Sequence, residues 1–167
     1  MTQNLGPGTA TLFVKTYREG VAAKVGHDLV IEVTRWSATV GDGAVTVEAD
    51  PRSLEVREGV RGVKPLSDRD RAEIRKNIDE KVLLGRPIAF RGSVSGESGA
   101  VELDGELTMG GATRPLRARL QSEGGRVGGT IALTQSDWGI KPYRGLMGAL
   151  KVRDDVEVVV DAPAPPP

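Results

Sequence analysis

The sequence predicts a mainly β protein, an eight-stranded antiparallel barrel with one helix inserted between strands three and four. Three observations predict it. Alternating apolar and polar runs recur along most of the chain and are separated by Gly-Gly, Asp-Gly and Ser-Gly pairs, the chemistry of tight hairpin turns. Registers read from those turns put charge pairs on one face and apolar pairs on the other, hairpin after hairpin. One segment alone, 67–85, changes to a helical period.

The first strand is "TATLFVKT" (9–16), the second "DLVIEVTRWSATV" (28–40) and the third "AVTVEAD" (44–50). A turn at Asp42-Gly43 sets Arg35 against Asp50, and Trp36, Ala38 and Val40 against Ala49, Val47 and Val45. Within the second strand the apolar parity switches from Leu29, Ile31 and Val33 to Trp36, Ala38 and Val40, which predicts a bulge or corner of the kind barrels need.

In "SDRDRAEIRKNIDEKVLLG" (67–85), Ser67 is the N-cap, Asp70 sits at the reciprocal capping position and Gly85 closes the helix. Ile74, Ile78 and Val82 form a narrow apolar stripe. Arg75 with Asp79 and Lys76 with Glu80 are spaced to pair on the wet side. The stripe has two uses open to it, covering a barrel end or packing on the outer wall. The polar outer wall favours the lid.

A four-strand meander follows, with strands near 87–95, 100–109, 112–122 and 126–136. Turns at Ser98-Gly99, Gly110-Gly111 and Gly124-Gly125 set Phe90 near Leu107, Leu103 against Ala118, and Leu116 against Leu133. Asp104 and Glu102 oppose Arg117 and Arg119 on the other face. The last strand is "DDVEVVVDA" (154–162).

Inward positions in these registers hold no acidic residue, and six are small: Ala38, Ala49, Gly92, Gly105, Ala118 and Gly129. An eight-stranded barrel is either just filled by its side chains or holds one small ligand. Sparse aromatics, two each of Trp, Tyr and Phe, favour an apolar pocket. The competing arrangement is a filled interior in which the glycines mark bends. Arg114 turns inward opposite Leu107, where an unpaired buried charge is untenable. It must reach a barrel mouth, a protein carboxylate or the polar head of a ligand.

Bulk composition limits the partners. At 167 residues the chain fits one domain, and 23 basic residues balance 23 acidic ones, which removes the bulk electrostatic case for nucleic acid. The expected domain is 1–162, with 163–167 a disordered Pro-rich tail. There is no cysteine and a single histidine, so thiolate chemistry is excluded and no metal constellation is found. No run of 18 apolar residues exists, and the N-terminal stretch lacks the basic and apolar regions of a leader. The expectation is a cytoplasmic protein without a membrane span. His27 beside Asp28 invites a catalytic reading, but neighbours on a strand point to opposite faces. His27 is read as structural and the catalytic set as none; the protein is expected to be no enzyme and to hold no cofactor.

The hairpin "GELTMGGATRPLRARL" (105–120) resembles the Gly-x-Leu-Thr, Gly-x-Thr-(Arg or Lys)-Pro hairpin of the YceI-like family, whose members are lipocalin-like barrels that bind polyisoprenoid lipids. "DPRSLEV" (50–56), "RPIAFRG" (86–92) and "TQSDWGI" (134–140) are similar to further family segments, and the resemblance spans 9–161. It implies a lipid lying along the barrel axis, touched by Phe90, Leu107 and Arg114. Register adds Trp36, Leu103, Leu116 and Ile131, while Ile78, Tyr143 and Met147 are placed at the mouth. The function implied is binding, sequestration or transport of an apolar isoprenoid-like lipid. A rigid scaffold whose loops bind a protein is the alternative. Barrels of this type often associate, so a homodimer is expected, though no residue marks its surface.

Overall fold

Gly110 and Gly111 turn the chain with φ of 60° and 83°, a left-handed pair that side chains disfavour and glycine does not. The arms they join zip along ten residues, from Ala112 opposite Met109 to Gln121 opposite Ala100. Asp104 ion-pairs with Arg117 at 3.2 Å and Glu102 with Arg119 at 2.7 Å. The register expected from the turn is the one formed, and so are those of the Asp42-Gly43 and Ser98-Gly99 hairpins.

The computed structural model describes residues 1–62, 64–145 and 150–166. In chain order its strands are β1 (Thr2–Leu5), β2 (Thr11–Thr16), β3 (Arg18–Glu19), β4 (Asp28–Val33), β5 (Trp36–Gly41), β6 (Ala44–Ala49) and β7 (Leu54–Val60). Helix α1 (Asp68–Asn77) follows. Then come β8 (Ile88–Glu97), β9 (Ala100–Met109), β10 (Ala112–Glu123), β11 (Arg126–Thr134), β12 (Arg144–Gly145), β13 (Leu150–Val152) and β14 (Asp155–Pro163).

The main sheet is antiparallel and has eleven strands rather than eight, in the order β1-β5-β6-β8-β9-β10-β11-β14-β2-β4-β7, while β12, β13 and β3 make a small second sheet. The count rises because the expected 28–40 strand breaks at Thr34 and Arg35, where the parity switches. Its partner arm breaks at 50–53. Thr34 N–H donates to Ser53 O and Asp50 N–H to Arg35 O, both at 2.9 Å. The Ser53 hydroxyl, 1% exposed, donates to Asp50 O at 2.8 Å. Beyond this corner β7 continues the third strand, and β1 adds to the free side of β5. The two sides of the curled half-barrel are therefore joined by one bent ribbon, with β1 outermost beyond β5.

Two further expectations change. The β10–β11 ladder holds only from Gln121 to Glu123, so Leu116 and Ala118 do not pair with Leu133 and Ile131. Pro115 offers no N–H, Gly128 and Gly129 carry no side chains to fix a register, and β11 follows β14 instead along its whole length. At the C-terminus β14 runs to Pro163, and Ala164 N–H donates to Gly125 O at 2.9 Å. The ladder thus enters the segment expected to be a disordered tail.

Ser67 and Asp70 form the reciprocal capping box at the start of α1. A π-helical turn, Ile78–Leu83, extends it, and Leu84 and Gly85 end it at φ of 56° and 65°. Arg75 pairs with Glu55 at 3.0 Å and donates to Arg52 O, while Asp79 pairs with Arg52 at 3.4 Å. The expected Arg75–Asp79 pair within the helix is not made. Its charges are used on the β7 side, where they hold the helix against the sheet.

Candidate functional site

The inner faces of the sheet and the apolar stripe of α1 surround a cavity of about 800 Å³. Ile74, Ile78 and Val82 all line it, so the helix serves as a lid over the sheet's interior. The strand arms give the walls. Val14 of β2, Ile31 of β4, Phe90 of β8 and Val158 of β14 all face inward because successive residues alternate across a strand.

The cavity is polarised along its axis. The charged residues and the imidazole that line it, Arg18, His27, Lys64, Asp70, Glu73 and Lys151, lie at the end crossed by α1 and the small second sheet. The opposite end is lined by Leu5, Val40, Val45, Leu120, Val160 and Ala162. One end is ionic and the rest is oily.

Of the residues expected at a ligand, Trp36, Phe90, Leu103, Leu107, Leu116 and Ile131 line the cavity walls, and Ile78 and Tyr143 line its lidded end. Lys81 stands 5.8 Å from the centroid of the Tyr143 ring, within cation–π range. Met147 lies outside the described residues. Arg114 is the exception: it sits opposite Leu107 as expected, yet its side chain is exposed and forms no part of the lining. At that level β10 pairs with no strand beyond β9, and the guanidinium reaches water. A buried position would strand it.

The small inward residues divide by cause. Ala38, Ala49 and Ala118 line the cavity and leave it volume. Gly92 and Gly105 do not line it. They face one another across β8 and β9, and a Cβ on Gly92 would come within 2.4 Å of Asp104 O and 2.7 Å of the Gly105 Cα. Their smallness permits close backbone approach rather than space for a guest.

At the lidded end, Asp28 is 3% exposed. It accepts from Arg18 N–H at 2.8 Å and ion-pairs with Arg61, joining β4 to β3 and to the segment after β7. Arg18 in turn donates to Gly26 O at 2.9 Å. The neighbouring His27 hydrogen-bonds through Nε2 to Lys64 O. The two side chains have separate partners, and both brace the rim. Among the described residues no group of three or more His, Asp or Glu is placed to hold a metal ion.

Several lining residues are not evident from sequence: Leu5, Val14, Val156 and Val158 among the apolar ones, and Arg18, Lys64 and Lys151 at the rim. Val156 and Val158 lie in an alternating run whose parity gives their face. The rim residues belong to loops and two- to three-residue strands, which carry no periodic signal. Trp138, 4% exposed, is also missed; it supports the wall from behind Leu107.

The family model for the YceI-like domain matches residues 11–164. The chain belongs to the YceI-like family. Its fold is also similar to that of BcnA from Burkholderia cenocepacia, a crystal structure with which it shares 11% identity at a TM-score of 0.65. That match covers 93% of this chain and 96% of BcnA. No curated protein matches the sequence. No helix among the described residues is long and apolar enough to cross a membrane.

Proposed function

We propose that this YceI-like protein is a non-enzymatic carrier or sequestering protein. Its guest is an elongated apolar molecule of isoprenoid type, lying along the barrel axis with its polar end at the lidded mouth. The observation that carries the reading is the cavity of about 800 Å³ with its ionizable lining gathered at one end. That size is within the range of about 300–1,000 Å³ usual for small-molecule sites. An apolar wall removes hydrocarbon from water with a gain of about 25 cal/mol per Å², whereas charged rim groups have no use for it. The YceI-like membership supports an isoprenoid-type guest over other apolar molecules.

The test is native mass spectrometry of protein purified from its own host, followed by solvent extraction. A copurified polyprenyl compound in stoichiometric amount is the expected result. Protein that stays empty from its host and fails to take up added long-chain isoprenoids would sink the carrier reading.

A further inference from the structure

A second concavity lies on the outer side of α1, away from the cavity, between the helix and β7. It is lined by five cationic side chains, Arg52, Arg57, Arg71, Arg75 and Lys76, and by three carboxylates, Glu55, Asp68 and Asp79. The carboxylates are mostly engaged: Glu55 holds Arg75 at 3.0 Å and Asp79 holds Arg52 at 3.4 Å. Arg57 reaches outside the groove to Glu32 at 2.9 Å. Arg71 and Lys76 have no ion pair among the described residues, and the Nε of Arg71 is buried without a hydrogen-bond acceptor. A buried donor without an acceptor is destabilising.

We propose that this groove binds a phosphate-type oxyanion, with the Arg71 guanidinium and the Lys76 ammonium as its contacts. A guanidinium offers a planar fork matched to two oxygens of one phosphate, and an ammonium adds a point charge. The oxyanion meets the outer guanidinium N–H groups of Arg71 and balances the two unpaired cations. Asp68 at the first turn of α1 opposes it and limits its affinity. The site is separate from the apolar cavity and stands whether or not the cavity carries a lipid. Its chemistry fits a soluble phosphate and a phospholipid headgroup equally.

Inorganic phosphate titrated into the full chain is expected to move the amide resonances of 52–57 and 71–76 saturably. The paired substitution Arg71→Gln and Lys76→Gln should weaken that response at least about tenfold. Asp68→Asn should strengthen it, and Arg117→Gln, which removes one positive charge from the far wall, should leave it alone. Phosphatidylglycerol vesicles separate the two sources: cosedimentation lost in the paired variant assigns a headgroup, and phosphate binding without cosedimentation assigns a soluble phosphate. No saturable response to either probe, or an equal loss in Arg117→Gln, overturns the proposal.

Discussion

Trp138 donates its indole N–H to the backbone carbonyl of Leu107 at 2.8 Å, a bond that joins the 3₁₀ turn after β11 to the strand whose side chains line the cavity. Both residues are buried. Trp138→Phe keeps most of the packing and removes one hydrogen bond to the Leu107 carbonyl, so it should cost about 1 kcal/mol. Trp138→Ala should cost about 3–5 kcal/mol. Urea unfolding of the two variants measures both, and equal losses would mean that the hydrogen bond contributes little.

Ala118 faces the cavity from β10, where a large side chain has room to extend inward. Ala118→Phe should lower the affinity for an apolar fluorescent probe at least about tenfold while changing stability by less than about 1.5 kcal/mol. Probe binding and thermal melting, measured on the same sample, check the pair of outcomes. Unchanged probe affinity would place the probe elsewhere.

Gly92 and Gly105 need their missing side chains for a different reason. A Cβ on Gly105 would approach Arg91 O to 2.2 Å and the Gly92 Cα to 2.6 Å, and both obstacles are backbone. Gly105→Ala should therefore destabilise by about 1–3 kcal/mol or more, with slow-exchanging amides lost from β8 and β9 first. Hydrogen exchange locates the damage.

Acid stability follows from the helix cap. The Ser67 backbone N–H and hydroxyl hold the Asp70 carboxyl below its ordinary value of 3.8. A depressed carboxyl contributes stability above its unfolded value and loses it as pH falls through the folded one. Asp70→Asn should flatten the acid limb of the stability curve below about pH 4. Tyr17 works at the other extreme: its hydrogen bond to Glu157 raises its pKa above 10.0. That contribution is complete below the unfolded value and disappears as pH climbs through the folded one, so Tyr17→Phe should remove alkaline sensitivity. Unfolding midpoints across pH check both.

His27→Ala removes the bond to Lys64 O at the rim and no wall contact with the guest's apolar body. Guest affinity should stay within about threefold, while the rim segment loses a hydrogen bond of about 1 kcal/mol. A hundredfold loss of affinity would assign the imidazole to the guest itself.

Most of the wall was legible because hairpins announce their own register. Once Gly110-Gly111 is a turn, Leu103, Leu107, Leu116 and Ala118 follow by alternation, and the charge pairs on the reverse face exclude a slip. β7 was hidden because Leu54 and Val56 alternate for only a few residues before a register shift opposite Val30 and Ile31 breaks the pattern. The apposition of β2 to β14 joins chain segments about 145 residues apart, and no turn reports it. Arg114 misled because parity gives the face of a strand and not how near its end the side chain lies. The charged face of α1 misled for a related reason: spacing shows which charges are neighbours, and only the fold shows that Arg52 and Glu55 compete for them.

The corner at Thr34 and Ser53 has a mechanical consequence. Since β5–β6, one strand in from β1, and β4–β7 at the opposite edge are halves of the same two covalent strands, chain connectivity through the corner resists widening by a bulky occupant. On the proposed carrier function, guests are told apart by length, through how far they project past the helix.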